Sequence, residues 1–326
     1  MLTEQINKGM ELVEDRLVSV VKTDVQTLSE ASAHIISSGG KRVRPKLLML
    51  VYLACGGRNV EEVIDLAASI EMVHTATLVH DDINDHSDFR RGKVAVHKRW
   101  GRTFALLTGD YLFTKVYELM APYGNPFNVM MSDACVKLVE GETLQAHAAK
   151  TGEIDREIYK KIIARKTASL FEAAASMGSA YAGAPQETID ALTSYGYNLG
   201  MSFQLVDDIL DVIGDAEEMG KPVGLDVAQA RGVVVAENGA NGSAYSNGNG
   251  NGNGNGVAIA ERPVLAEDDP VKRMMERMRS SGALEIARLQ AEEMSQRARK
   301  NLQVLPESEA KAELDNLIDL VLNRTN

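Results

Sequence analysis

Cysteine is scarce in this chain: 326 residues contain only Cys55 and Cys135. That excludes a disulfide framework and a cysteine-built zinc site, and leaves two thiols expected as buried packing residues in a reducing compartment. Positive charge is also short. Thirty-five Lys and Arg face 46 Asp and Glu, a formal net charge of −11, which argues against a nucleic-acid-binding surface while leaving room for a local basic pocket. No apolar run has the length and purity of a membrane span. Residues 1–16 mix charges into a helical pattern instead of forming a secretory apolar core. The expectation is a cytoplasmic protein with no stable membrane anchor. Strand-like alternation of apolar and polar residues is missing too, which disfavours sheet architectures.

Apolar residues at helical spacing fill the chain instead, for example Leu47, Leu50, Val51 and Ala54, then Val63, Leu66, Ala67, Ile70 and Val73. This periodicity predicts helices over about 2–36, 43–55, 60–84, 103–121, 126–149, 155–182, 186–213, 270–278, 282–303 and 308–323. The fold class is therefore all-α, one helical domain over residues 1–326. Residues 236–260 interrupt the pattern with alternating Asn and Gly, which offer no apolar face. They read as a mobile surface loop inserted within the domain. Asn323-Arg324-Thr325 matches a glycosylation pattern, taken here as a chance match in a cytosolic chain.

Two aspartate clusters stand out, Asp81-Asp82-Ile83-Asn84-Asp85 and Asp207-Asp208-Ile209-Leu210-Asp211, with the same DDxxD spacing. On a helix, residues four apart share a face, so Asp81 stands beside Asp85 and Asp207 beside Asp211. Both clusters follow apolar sequence, Leu78-Val79 and Phe203-Gln204-Leu205-Val206, so they are not a solvated acidic stripe. Crowded carboxylates repel one another unless cations offset them. Mg²⁺ suits them, since it takes one or two carboxylates and keeps positions for water and phosphate oxygens, which predicts a diphosphate between the clusters.

Basic partners are present. Gly39-Gly40-Lys41-Arg42-Val43-Arg44-Pro45 places three cations in a glycine-led loop entering a helix, where guanidinium groups and backbone donors can hold a diphosphate. Arg90-Arg91-Gly92 follows the first cluster, and Lys166-Thr167 and Lys221-Pro222 add further candidates. His74 lies seven residues before Asp81, on nearly the same helical face, and can donate to an anion.

Through these motifs, in this order and together with Gly220-Lys221-Pro222-Val223-Gly224-Leu225-Asp226, the chain resembles the trans-isoprenyl (E-polyprenyl) diphosphate synthases over nearly its whole length. The resemblance implies the type I isoprenoid synthase fold, an antiparallel helical bundle around a central cavity, with the two clusters facing across its mouth. It implies that Asp81, Asp85 and Asp207 bind Mg²⁺ directly, with Asp82, Asp208 and Asp211 assisting, about three ions per site. Arg90, Lys166 and Lys221 would hold an allylic diphosphate, and Lys41, Arg44, His74 and Arg91 isopentenyl diphosphate. Thr167 and Gln204 would help stabilise the allylic cation. A homodimer is implied as well.

The helix before the first cluster would form a cavity wall. Ala76 and Thr77, five and four residues before Asp81, are small where short-chain members of the family often carry aromatics. Growth should pass that level, towards Val73 and Ile70, with Tyr111, Phe113, Tyr117 or Met120 as possible floor residues. A medium- or long-chain all-trans product is expected, with geranylgeranyl diphosphate as the alternative. After Asp226 the sequence departs from the family pattern, and Arg231 stands as a candidate replacement for a phosphate-binding lysine. A terpene cyclase should replace the second cluster with an Asn/Ser/Glu triad, and a non-catalytic partner subunit should carry a degraded cluster. Neither change is present, and the departure at Arg231 keeps the partner subunit as the alternative of another class.

Overall fold

A computed structural model of the chain describes residues 2–151, 153, 155–213 and 282–324. Lys221, Arg231, the Asn/Gly segment 236–260 and the predicted helix 270–278 lie outside these described residues. The described chain is an all-α bundle. Its long helices are α1 (Leu2–Val20), α2 (Gln26–Ile36), α3 (Val43–Ala54), α4 (Ile64–Asn84), then after α5 (Val96–Trp100) come α6 (Arg102–Met120) and α7 (Asn125–Thr151). They are followed by α8 (Arg156–Ile163), α9 (Ser169–Tyr181), α10 (Gln186–Ile213), α11 (Ala283–Asn301) and α12 (Glu309–Leu322).

The helices form because their apolar residues recur every three or four positions, as in α1, where Ile6, Gly9, Val13, Leu17 and Val20 are buried. Helix α4 differs, being buried on almost every side, and its neighbours are α6, α1 and α3. It is the inner post of the bundle. Helix α10 packs against α9 and α11, and α9 fills the space between α10 and α3. At the far end of the chain, Ser308 caps α12 by accepting the Lys311 N–H at 3.1 Å. The buried Tyr195 hydroxyl donates to the Leu314 carbonyl at 2.8 Å, and Arg299 on α11 pairs with Asp315 and Asp319. The C-terminal helix is therefore pinned to α10 and α11.

Three expected boundaries differ. The helix predicted over 2–36 is two helices, because the Thr23 hydroxyl accepts the Val25 N–H at 3.3 Å and offers the backbone a turn in place of another helical bond. The stretch 155–182 is broken by a π-helical turn at Ala164–Ala168. After the first aspartate cluster, where no element was expected, Phe89–Arg90 and Lys93–Val94 (β1 and β2) pair antiparallel. The turn between them has Arg91 at φ 50° and Gly92 at φ 76°, the left-handed pair that matches the twist of a two-residue hairpin.

Candidate active site

Both aspartate clusters sit in the C-terminal turns of long helices, the first on α4 and the second on α10, and neither helix has a basic residue in its last turn. Helix C-termini carry partial negative charge, so the carboxylates add to an existing negative end. Positive charge must come from other segments. It does, around one cavity of about 670 Å³ lined by Asp81, Asp85, Asp207 and Asp208 and by Lys41, Arg44, His74, Arg90, Arg91, Lys166, Thr167 and Gln204.

The basic wall is built by two glycine-containing turns that meet. Arg91 in the hairpin turn donates to the Gly39 carbonyl, and a Cβ on Gly40 would lie 2.6 Å from the Arg91 guanidinium. The φ of 146° at Gly40 favours glycine there as well. Arg42, the middle cation of the loop, is spent on structure: it donates to Glu14 at 2.5 Å, to the buried Glu71 at 2.8 Å and to the Ile36 carbonyl at 3.0 Å, tying α1, α2 and α4 together. Arg44 lies over the Phe171 ring at 4.7 Å, and burial, with Arg91 adding to it against Glu71, lowers its pKa to about 10. It stays charged at neutral pH. Burial, helped by Arg44, Arg91, Arg42 and Arg90, holds His74 well below the usual histidine range, so it is neutral there and can donate one N–H.

At the first cluster, Asp81 and Asp85 face the cavity while Asp82 is buried and accepts from Arg90 Nε at 2.8 Å and Nη2 at 2.5 Å. Asp82 thus holds Arg90 in place. Burial raises the Asp82 pKa against the pull of Arg90. Across from it, the π-helical turn re-aims the chain so that the consecutive Lys166 and Thr167 both line the cavity, as Ile162, Ile163 and Leu170 do. The turn lies against α7 at Gly141, where a Cβ would stand 2.5 Å from the Lys166 backbone nitrogen. Lys166 Nζ is 2.7 Å from Glu142 and 3.7 Å from Asp81.

At the second cluster the Thr167 hydroxyl donates to Gln204 at 2.7 Å, Gln204 donates to Asp208 at 2.7 Å, and the Tyr159 hydroxyl donates to Asp208 at 2.6 Å. This chain of bonds fixes the cavity face of α10. Asp207 stands apart from it, 3.6 Å from Arg324, and Asp211 is fully buried beneath. Sequence reading missed Glu142, Tyr159 and Arg324. A single acid, an aromatic beside isoleucines and an arginine in a polar tail each look like ordinary surface or core residues.

The carboxylate oxygens fit Mg²⁺ in kind. Among the described residues no three acids, histidines or cysteines converge into a metal cage; each cluster could offer one or two ligands, the number Mg²⁺ takes when phosphate oxygens supply others. The same lining includes apolar side chains, Leu78, Leu138, Ile162, Ile163, Leu170 and Phe203. Thr77 belongs to this wall, whereas Ala76, Val73 and Ile70 are fully buried and outside it. Tyr117 is 76% exposed and turned to solvent, so it is no cavity floor, and Met120 lies deeper, against Ser69.

Residues 25–239 match the polyprenyl synthetase family. The chain is 34% identical to a short chain isoprenyl diphosphate synthase of Methanothermobacter thermautotrophicus over 98% of this chain and 97% of the other. It is 35% identical to the octaprenyl diphosphate synthase of Escherichia coli over 99% and 98%. A polyprenyl synthase of Caulobacter crescentus, solved with calcium and isoprenyl diphosphate, has the same fold with a TM-score of 0.83 at 30% identity, covering 99% of this chain and 96% of that one. Matched across that length, with paired aspartate clusters and basic loops around one cavity, this chain belongs to the polyprenyl synthetase family and is a prenyltransferase.

Proposed function

We propose that the protein condenses an allylic diphosphate repeatedly with isopentenyl diphosphate to give a medium- or long-chain all-trans polyprenyl diphosphate, releasing inorganic diphosphate at each step. The observation that carries this reading is one cavity in which two carboxylate pairs, eight basic side chains with His74 included, and apolar residues meet. We assign Asp81, Asp85 and Asp207 to Mg²⁺, with Asp82, Asp208 and Asp211 in support. Bound there, Mg²⁺ would neutralise charge on the departing diphosphate. Arg90 and Lys166 would hold the allylic diphosphate, together with Lys221 beyond the described residues. Lys41, Arg44, His74 and Arg91 would hold isopentenyl diphosphate. Thr167 and Gln204, locked to one another, present oxygen dipoles towards the allylic cation, and the apolar lining keeps water from it.

We also propose one domain over the chain, a cytoplasmic setting and a homodimer. Cys55 and Cys135 are free thiols, half-buried, with pKa values raised to about 11 by burial, in keeping with a reducing compartment. No helix among the described residues is long and apolar enough to cross a membrane. The second reading, a geranylgeranyl diphosphate synthase, draws on one observation: Ala76, Val73 and Ile70 on α4 are fully buried and do not line the cavity.

One assay decides between them. Purified protein is incubated with Mg²⁺, labelled isopentenyl diphosphate and allylic primers from C5 to C20, and the products are sized. Products beyond C20 are expected, and Ala76→Phe should shorten them. Products ending at C20 would favour the second reading, and no elongation from any primer would sink both.

A further inference from the structure

Tyr159 is a polar side chain of the cavity wall to which no step of the condensation gives a role. It sits in the first turn of α8, where the Asp155 side chain caps the helix by accepting the Ile158 N–H at 2.8 Å and the Asp155 carbonyl accepts the Tyr159 N–H at 2.9 Å. Its ring is buried in one cluster with Ile162 and Ile163 of the same helix and Met201 and Leu205 of α10. A buried phenol needs a partner for its hydroxyl, and here the partner is the buried carboxylate of Asp208, 2.6 Å away.

That bond belongs to a chain with one direction. A carboxylate only accepts, so Asp208 takes the Tyr159 hydroxyl on Oδ2 and the Gln204 amide nitrogen on Oδ1, at 2.7 Å. With its nitrogen committed there, Gln204 turns its carbonyl oxygen to Thr167, which donates its one hydroxyl proton at 2.7 Å. The Thr167 oxygen then has only lone pairs to offer elsewhere. Gln204 and Asp208 are four apart on α10, so a single helix face carries the chain from α8 to the π-helical turn, and all four side chains line the cavity. A hydroxyl and an amide can each present either sign of dipole. Anchored on Asp208, they present oxygen, the sign that stabilises a developing cation.

We propose that Tyr159 is a positioning residue for the condensation: it fixes the Asp208 carboxylate that orients Gln204, and through Gln204 it turns the Thr167 oxygen towards the allylic cation. This rests on the role given above to Thr167 and Gln204. Without the phenol the carboxylate loses its 2.6 Å restraint, and Gln204 and Thr167 lose their alignment while the basic side chains of both diphosphate sites stay in place.

The test is a double-substitution cycle in the full chain, Tyr159→Phe and Thr167→Val singly and together. It is read by single-turnover condensation of labelled isopentenyl diphosphate with a bound allylic primer, by the KM for each substrate and by thermal melts. Tyr159→Phe should slow condensation about 10-fold, the weight of one hydrogen bond to a charged group, with both KM values within about 3-fold. In the Thr167→Val background the same change should cost about 2-fold or less, because the group it orients is already gone. Asp208→Asn, which keeps the shape and lets the chain of donors reverse, should lose its effect in that background too, and it carries the cycle by itself if Tyr159→Phe melts below the assay temperature. An unchanged rate in Tyr159→Phe overturns the proposal. So does the same fold-loss in both backgrounds, which marks a residue that only supports the packing of α8. If the unsubstituted chain elongates no primer, the functional reading fails and this role goes with it; a chain that elongates while its losses simply multiply removes this role alone.

Discussion

Glu142 on α7 shows how the site sets the chemistry of a single side chain. Burial and the nearby charges of Asp81 and Asp85 push its pKa up to about 7, with Lys166 pulling the other way. An unfolded glutamate titrates near pH 4.3, so between roughly pH 4.3 and 7 the folded chain holds a proton that the unfolded chain has released. Stability from this group is therefore complete below the lower value and lost as pH rises through the upper one. Glu142→Gln mimics the protonated form at every pH. Its urea midpoint should match that of the unsubstituted protein near pH 4.5 and exceed it at pH 8, by on the order of 2 kcal/mol. A difference that does not change with pH would exclude this account.

The π-helical turn Ala164–Ala168 is the element on which the site's geometry depends most. One extra residue in that turn lets two neighbouring side chains, Lys166 and Thr167, reach the same cavity, which an unbroken α-helix would turn about 100° apart. Gly141 makes room for it. Because the atom a new Cβ would strike is backbone nitrogen, Gly141→Ala must move the turn or α7. We expect destabilisation of about 1–3 kcal/mol by urea titration. A fall in kcat of about 100-fold should accompany it, since shifting a positioning group by an ångström costs that much. Unaltered kcat would mean that Lys166 tolerates the displacement. The lysine and threonine were legible in the sequence as candidates, but the π-turn was not. Its residues continue the helical apolar pattern, and the extra residue is imposed by packing against α7 and α10.

For the whole molecule, two apolar stripes on successive helices remain uncovered: Phe104 and Leu107 on α6, and Val129, Val136 and Val139 on α7. Apolar residues at helical spacing on an exposed face mark a surface that another copy can bury, in line with the proposed homodimer. Val136→Glu with Val139→Glu should place charges in that interface and halve the mass measured by sedimentation equilibrium. An unchanged dimer would place the interface elsewhere. The overall charge of −11 conceals a second large-scale feature. Basic side chains from the 39–45 loop, the hairpin, the π-turn and the C-terminal end gather at one cavity, where a local positive field can attract diphosphates to an acidic protein.

The sequence alone determined the all-α class, the helical placing of both aspartate clusters and the principal basic candidates. Each of these rests on local chemistry, the 3.6-residue period and the spacing of like residues along one helix face. Tertiary structure decided which cations are left for a ligand and which hold the fold. Arg42 and Arg44 are two residues apart and both line the cavity, yet the Arg42 guanidinium is consumed by Glu14 and Glu71 while no hydrogen bond among the described residues holds Arg44 Nε. It also brought Glu142, Tyr159 and Arg324 to the clusters from segments 57 or more residues away from the first, and it left Ala76 and Val73 out of the cavity wall. A side chain's role there depends on which distant helix packs beside it, and that is set by burial of the whole bundle and not by its neighbours in the chain.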